Sequence, residues 1–231
     1  MRPRTPTLLD DLWPDDSPEF AAVAEAWPAA TVQAMLMLVW EAFDALKSGK
    51  FQGVDFSLPR EQIERSLTDL HAQEINDRWA RSFQKFPAFI PHHEAPEYHG
   101  RVSASSKPVA YDIAFVMRSN RRLRWPIEAK VANHPGDLVA YHGDLQKYLS
   151  GKGSPYSTEA ALAVYLRSGT AEALFAHLRK LVRQSLKSHR DFPGRAHRTT
   201  AHTRLSVQLP KGTPRQFTCH HLVFELACAM H

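Results

Sequence analysis

The sequence predicts an α/β fold, a mixed central β-sheet flanked by helices and preceded by a helical N-terminal extension. Three observations lead there. Helical and strand-like patterns follow one another in the order helix, strand, strand, helix, strand, helix, strand, which is satisfied by packing helices on the faces of a sheet. Two apolar runs, "YDIAFVM" and "LRWPIEAKV", flank the turn "SNRR" and read as an antiparallel hairpin. With 231 residues, 43% hydrophobic and 23% charged, the chain has enough apolar material for a real core.

Residues 1–56 read as helices and turns punctuated by Pro14, Pro18 and Pro28, and within them "TVQAMLMLVWEAFDALKSGK" carries helical periodicity up to about Gly49. This is the extension; residues 57–231 form the main domain. The apolar run Ala34 to Trp40 is too short to span a bilayer and predicts one buried helix. Next, "SLPREQIERSLTDLHAQEINDRWARSF" opens on Ser57 as a cap and sets Ile63, Leu67 and Leu70 on one stripe, the pattern of an amphipathic helix docked on a core. Pro87 and Pro91 then predict a loop containing "PHHEAPEYHGR". Beyond the hairpin, Asp137 to Gly153 reads as a helix closed by glycine and "EAALAVYLRSG" as a buried strand. "AEALFAHLRKLVRQSLK" reads as an amphipathic helix, followed by a basic loop and a last strand in "FTCHHLVFELACAM".

Several function classes lack support. No Gly-x-Ser-x-Gly elbow or Gly-x4-Gly-Lys-Ser/Thr loop occurs, which argues against serine hydrolases and nucleotide triphosphatases. Cys219 and Cys228 are spaced for neither a disulfide framework nor a zinc knuckle, so a reducing, cytoplasmic setting is expected. The start "MRPRTPTLLDDLWPDD" lacks a signal-like apolar region, and no membrane association is expected. His92-His93 and His220-His221 are adjacent pairs, which face opposite ways on a strand, and with His99 they match no metal-finger spacing; zinc is not favoured.

Charge is unevenly distributed. The formal balance is 29 − 24 = +5, and from Arg179 to Arg215 ten Lys/Arg stand against one acid, Asp191. Such a block is the footprint of phosphate-backbone contact, with a solvated surface as the ordinary alternative. Arg195, Arg198 and Arg204 are its candidate nucleic-acid-binding residues. Trp125, before the second hairpin strand, is a core or edge residue that could instead stack on a base.

The hairpin carries the chemistry. Glu128 and Lys130, two apart on a strand, face the same way, while Ile127, Ala129 and Val131 face the other. Asp112 lies 128 − 112 = 16 residues earlier, on the partner strand, where it can sit across from Glu128. Two carboxylates supply the hard oxygens that Mg²⁺ takes, with Mn²⁺ as a substitute, and a neighbouring lysine can orient or help deprotonate water, or stabilise charge on phosphorus.

On these residues, "YDIAFVM…WPIEAKV" with Asp112 and Glu128-Ala129-Lys130, the chain resembles the PD-(D/E)XK nuclease superfamily from about Pro59 to Leu166. Ala110 and Tyr111 stand where the name-giving proline would be. The resemblance implies a restriction-endonuclease-like core and a metal-dependent nuclease, a DNA endonuclease serving restriction or phage defence. It implies Asp112 and Glu128 as metal ligands and Lys130 as the catalytic lysine. Glu64 in "IERSLTDL" would be the leading-helix acid, with Glu74 as the alternative, and Gln146 and Tyr148 would be site-supporting residues. Nucleic acid, DNA before RNA, is the expected partner, with a second copy, an ATPase or a defence subunit as protein partners. The competing expectation is a catalytically inactive nucleic-acid-binding or scaffolding subunit of the same fold, against which the complete Asp, Glu, Lys set argues.

Overall fold

Successive strand residues point to opposite faces of a sheet, and the central strands of this chain are apolar on both. That pattern demands a helical layer on each side. In the computed structural model, which describes residues 27–97, 109–121, 123–138, 140–205, 209 and 213–226, two layers are present. The helices are α1 (Ala29–Lys47), α2 (Arg60–Arg81), α3 (Tyr141–Leu149) and α4 (Ala171–Val182). The strands are β1 (Phe89–Glu97), β2 (Val109–Met117), β3 (Arg124–Ala132), β4 (Glu159–Leu166), β5 (Lys187–Ser188), β6 (His197–Thr203) and β7 (Gln216–Glu225). They form one seven-stranded sheet in the order β1-β2-β3-β4-β7-β6-β5. β3, β4 and β7 run parallel, and the remaining pairs are antiparallel, so the sheet is mixed.

On one face α1 and α2 cover Ile127, Ala129, Val131, Ala163, Tyr165 and Phe224. On the other, α3 and α4 cover Leu162, Val164, Cys219 and Val223. By length and composition α1 could cross a membrane. Nine of its 19 residues are instead buried in this core, where Trp40, edge to face, and Phe43 pack against Phe224 at ring distances of 4.9 and 4.6 Å. The helix expected in the extension is thus a layer of the same fold. The turns expected at Pro14 and Pro18 lie outside the described residues, as do His99 and Cys228.

Four local expectations change. Ser57 does not cap α2; its backbone and hydroxyl both donate to Asp55 Oδ1 in a turn, and Pro59 takes the cap position. α4 stops at Val182 because Arg183 adopts a left-handed conformation, φ 52°, that ends the helix. The stretch around Pro91 and Pro96 is strand β1, which tolerates proline because it is an edge strand. The basic loop contains β6, whose inward groups are His197, Thr200 and His202 rather than aliphatic residues. Thr200 Oγ1 lies 2.7 Å from both His202 Nε2 and His221 Nε2, so hydrogen bonds replace apolar burial there.

Candidate active site

The site is built where β2 leaves β3. Their ladder runs from Val116–Arg124 to Ile113–Ile127 and stops one residue short of Asp112 and Glu128. On its other side, β2 pairs with β1 at His93–Ile113 and Ala95–Tyr111, skipping Glu94, which has φ 49°. Past the end of the β2–β3 ladder, two amides of β3 have no partner on β2. Carboxylates accept from them instead. Asp112 Oδ2 accepts the Ala129 N–H at 2.7 Å, and Glu64 Oε2, reaching over from α2, accepts the Val131 N–H at 3.2 Å.

Between these two amides sits Lys130. Its ammonium donates to Glu64 Oε1 at 3.2 Å and to the Ala129 carbonyl at 2.8 Å, and it lies 3.6 Å from Asp144 Oδ2 on α3. The other oxygen of Asp144 accepts from Lys147 at 2.6 Å. Glu128 and Asp144 are each only 4% exposed.

Burial and crowding set the charges. Burial raises the Glu64 carboxyl, against the pull of Lys130 and the Val131 amide. Glu128 is pushed up to about 8, first by burial and then by the charge of Asp112. Burial works against the charge on Lys130, but Glu64, Asp112, Asp144 and Glu128 outweigh it and hold the ammonium well above its usual range. Lys147 is raised as well, burial being overcome by its bond to Asp144 and the charge of Glu128.

A divalent cation fits this cluster on two grounds. With all acids ionised, Glu64, Asp112, Glu128 and Asp144 against Lys130 and Lys147 leave −4 + 2 = −2. In addition, Glu128 Oε1 and Asp144 Oδ2 are buried with no hydrogen-bond partner among the described residues. Buried carboxylate oxygens left that way are costly, and a hard cation is the partner that suits them.

Glu64, Asp112, Glu128 and Lys130 therefore share one cluster, and other sequence candidates do not. Glu74 lies farther along α2, buried against Arg78 at 3.1 Å and Arg81 at 3.7 Å beside a cleft lined by α1. Gln146 is exposed; α3 turns Asp144 and Lys147 toward the site instead. Tyr148 is buried, its hydroxyl donating to the Ala161 carbonyl. Asp144 and Lys147 read in sequence as a solvated helix pair. The available signal was that Asp144 interrupts the buried stripe of Tyr141, Leu145 and Tyr148.

The three arginines do not form one surface. Arg204 is 0% exposed, so its assignment to nucleic acid is corrected: its guanidinium donates to the carbonyls of Tyr148, Ser154 and Ser157 at 3.0 to 3.1 Å and lies 4.4 Å over the Phe217 ring. Burial lowers it to about 10. Arg195 binds Asp44 through both terminal nitrogens and lies over Trp40, on the α1 side. Arg198 binds Glu172 and Ser188 at 2.7 Å and lies over Phe175, on the α4 side. Trp125 is fully buried, which removes it from base stacking. Comparison of the chain with protein-family models, with curated proteins and with solved structures found no match.

Proposed function

We propose that the chain is a metal-dependent nuclease of the PD-(D/E)XK kind, a DNA endonuclease using Mg²⁺ or Mn²⁺. One observation carries this reading: four carboxylates gather around Lys130 at the β2–β3 junction, and two of their buried oxygens have no hydrogen-bond partner among the described residues. The order of contributing elements supports it, since leading helix, Asp strand, Glu-x-Lys strand and polar helix are the parts the resemblance names.

Asp112 and Glu128 would hold the cation, with Asp144 beside them. When bound, such an ion neutralises phosphate charge and lowers the pKa of a water molecule. Lys130 has three N–H donors, two of which are taken by Glu64 Oε1 and the Ala129 carbonyl. The third is available to a phosphate oxygen, which makes the lysine an electrostatic stabiliser of the charge that develops there. Glu64 is a positioning residue: it fixes Lys130 and the Val131 amide together.

The test is incubation of purified protein with supercoiled plasmid, single-stranded DNA and RNA, in Mg²⁺, Mn²⁺ and chelator. Cation-dependent nicking of DNA that disappears in Asp112→Ala is the expected result. Binding without cleavage in either ion would favour the inactive scaffolding subunit, and preferential cutting of RNA would replace the substrate.

A further inference from the structure

A second cluster lies on the opposite face of the sheet. In the ladders His220 stands opposite Ala161, and Ala161 opposite Ile127, all on the face covered by α1 and α2. Glu128 belongs to the neighbouring row and points the other way. Around His220 gather His197, which opens β6, and His189, which follows β5. One ring nitrogen from each lies within 4.8 Å of the other two.

The details suit a metal better than a plain hydrogen-bonded core. His197 Nε2 and His220 Nδ1 face each other at 3.0 Å, and His220 Nε2 lies 3.1 Å from Glu159 Oε2. A carboxylate on the far nitrogen is the arrangement that orients a metal-bound histidine and directs its other lone pair at the ion. His197 is 0% and His220 3% exposed, so both rings are shielded from solvent. The third histidine, His189, is half-buried, stacks on His197 at 4.5 Å and has a long 3.3 Å contact from the Asp191 amide to Nδ1, so few hydrogen bonds oppose a small ring adjustment.

Ligand nitrogens around a four-coordinate zinc lie about 3.3 Å apart, given bonds of about 2.0 Å. One edge of the cluster is already 3.0 Å and none exceeds 4.8 Å, so modest side-chain movement closes the rest. A set of three nitrogens selects zinc or its transition-metal neighbours, whereas Mg²⁺ prefers the oxygens on the other face.

We propose that His189, His197 and His220 form a binding site for one zinc-class divalent ion, separate from the carboxylate site, that ties the β5–β6 segment to β7. Water can complete the fourth position beside the half-buried His189. This inference does not rest on the nuclease assignment.

The test uses the full chain stripped with chelator and titrated separately with Zn²⁺ and Co²⁺. One equivalent of zinc should bind and raise the unfolding midpoint, and cobalt should give the visible absorption of a four-coordinate ion. His189→Ala, a truncation at a half-buried position, should fold by circular dichroism yet bind at least about 10-fold more weakly. Asp112→Ala should keep the cobalt spectrum. Absence of uptake, uptake unchanged in His189→Ala, or a cobalt spectrum lost in Asp112→Ala would each overturn the proposal.

Discussion

At the β2–β3 junction, four acids and two lysines crowd into a half-buried cluster whose formal charge does not cancel and whose buried oxygens are left open. Along β6 and β7, the same sheet buries His197, Thr200, His202, His220, His221 and Arg204, and there nearly every polar atom finds a neighbour. The first region trades stability for open valences. The second gains rigidity from satisfied ones. Burial of polar groups is therefore no sign of function by itself; what separates the regions is whether buried carboxylate oxygens are left without hydrogen-bond partners. Among the described residues, His197 Nδ1 in this region is buried without a hydrogen-bond partner, and it lies in the histidine cluster.

The sharpest way to break this comparison is at the junction. Asp112→Ala and Glu128→Ala should each lower cleavage by about 10²-fold or more, while thermal unfolding in chelator shows the fold retained. A variant that keeps more than about a tenth of wild-type activity would remove its residue from the machinery. Lys130→Met should cost a similar factor in rate yet leave metal-dependent DNA binding intact by gel shift. Lys130→Arg should not restore cleavage, because a planar guanidinium cannot reproduce the compact contacts to Glu64 and Ala129. Full activity in Lys130→Met would give the lysine a purely structural role.

In the second region the large effect should be on stability. Arg204→Met takes its guanidinium from the carbonyls of Tyr148, Ser154 and Ser157, the first two of which keep the amides of Gly151 and Ser157, and urea unfolding should show a loss of about 3 kcal/mol. Arg198→Gln, at an exposed pair with Glu172, should change stability by less than about 1 kcal/mol. Equal losses for the two would contradict the burial assigned to Arg204.

pH separates a buried base from a buried acid. His71, buried between the Tyr165 hydroxyl and the Val39 carbonyl, is lowered to about 4 by burial, against an ordinary 6.5. Between these values the unfolded chain binds more protons, so this contribution is complete above 6.5 and is lost as pH falls toward 4. The slope is about 1.4 kcal/mol per pH unit at most. Glu128 has the opposite sign: raised by burial to about 8, it favours the cation-free fold below its unfolded value and disfavours it as pH rises through 8. Urea midpoints in chelator across this range should show acid loss flattened in His71→Gln and alkaline loss flattened in Glu128→Gln. Unchanged profiles would show that neither burial is felt energetically.

Much of the architecture was legible because it depends on local periodicity. The hairpin, β4, α4 and the buried stripe of α2 all follow from spacing of apolar residues, and Glu128 and Lys130 share a face because strand side chains alternate. β1 was hidden by its prolines, which rule out a central strand but not an edge. β6 was hidden because "HRTTAHT" buries hydrogen-bonded polar groups, which hydropathy does not register. Charge counting likewise placed Arg204 in a basic surface block, although its fate depended on carbonyls from residues 47 to 56 positions away.

By itself the sequence determined which elements form and which side chains share a face, since these depend on neighbours a few residues apart. Only the tertiary structure decided where β2 parts from β3, so that Glu64 and Asp112 take up the freed amides of Val131 and Ala129. It alone turned Asp144 rather than Gln146 toward Lys130, and brought His189, His197 and His220 within reach of one ion. Those outcomes depend on where a ladder ends and on the packing of distant segments, and neither leaves a period in the chain.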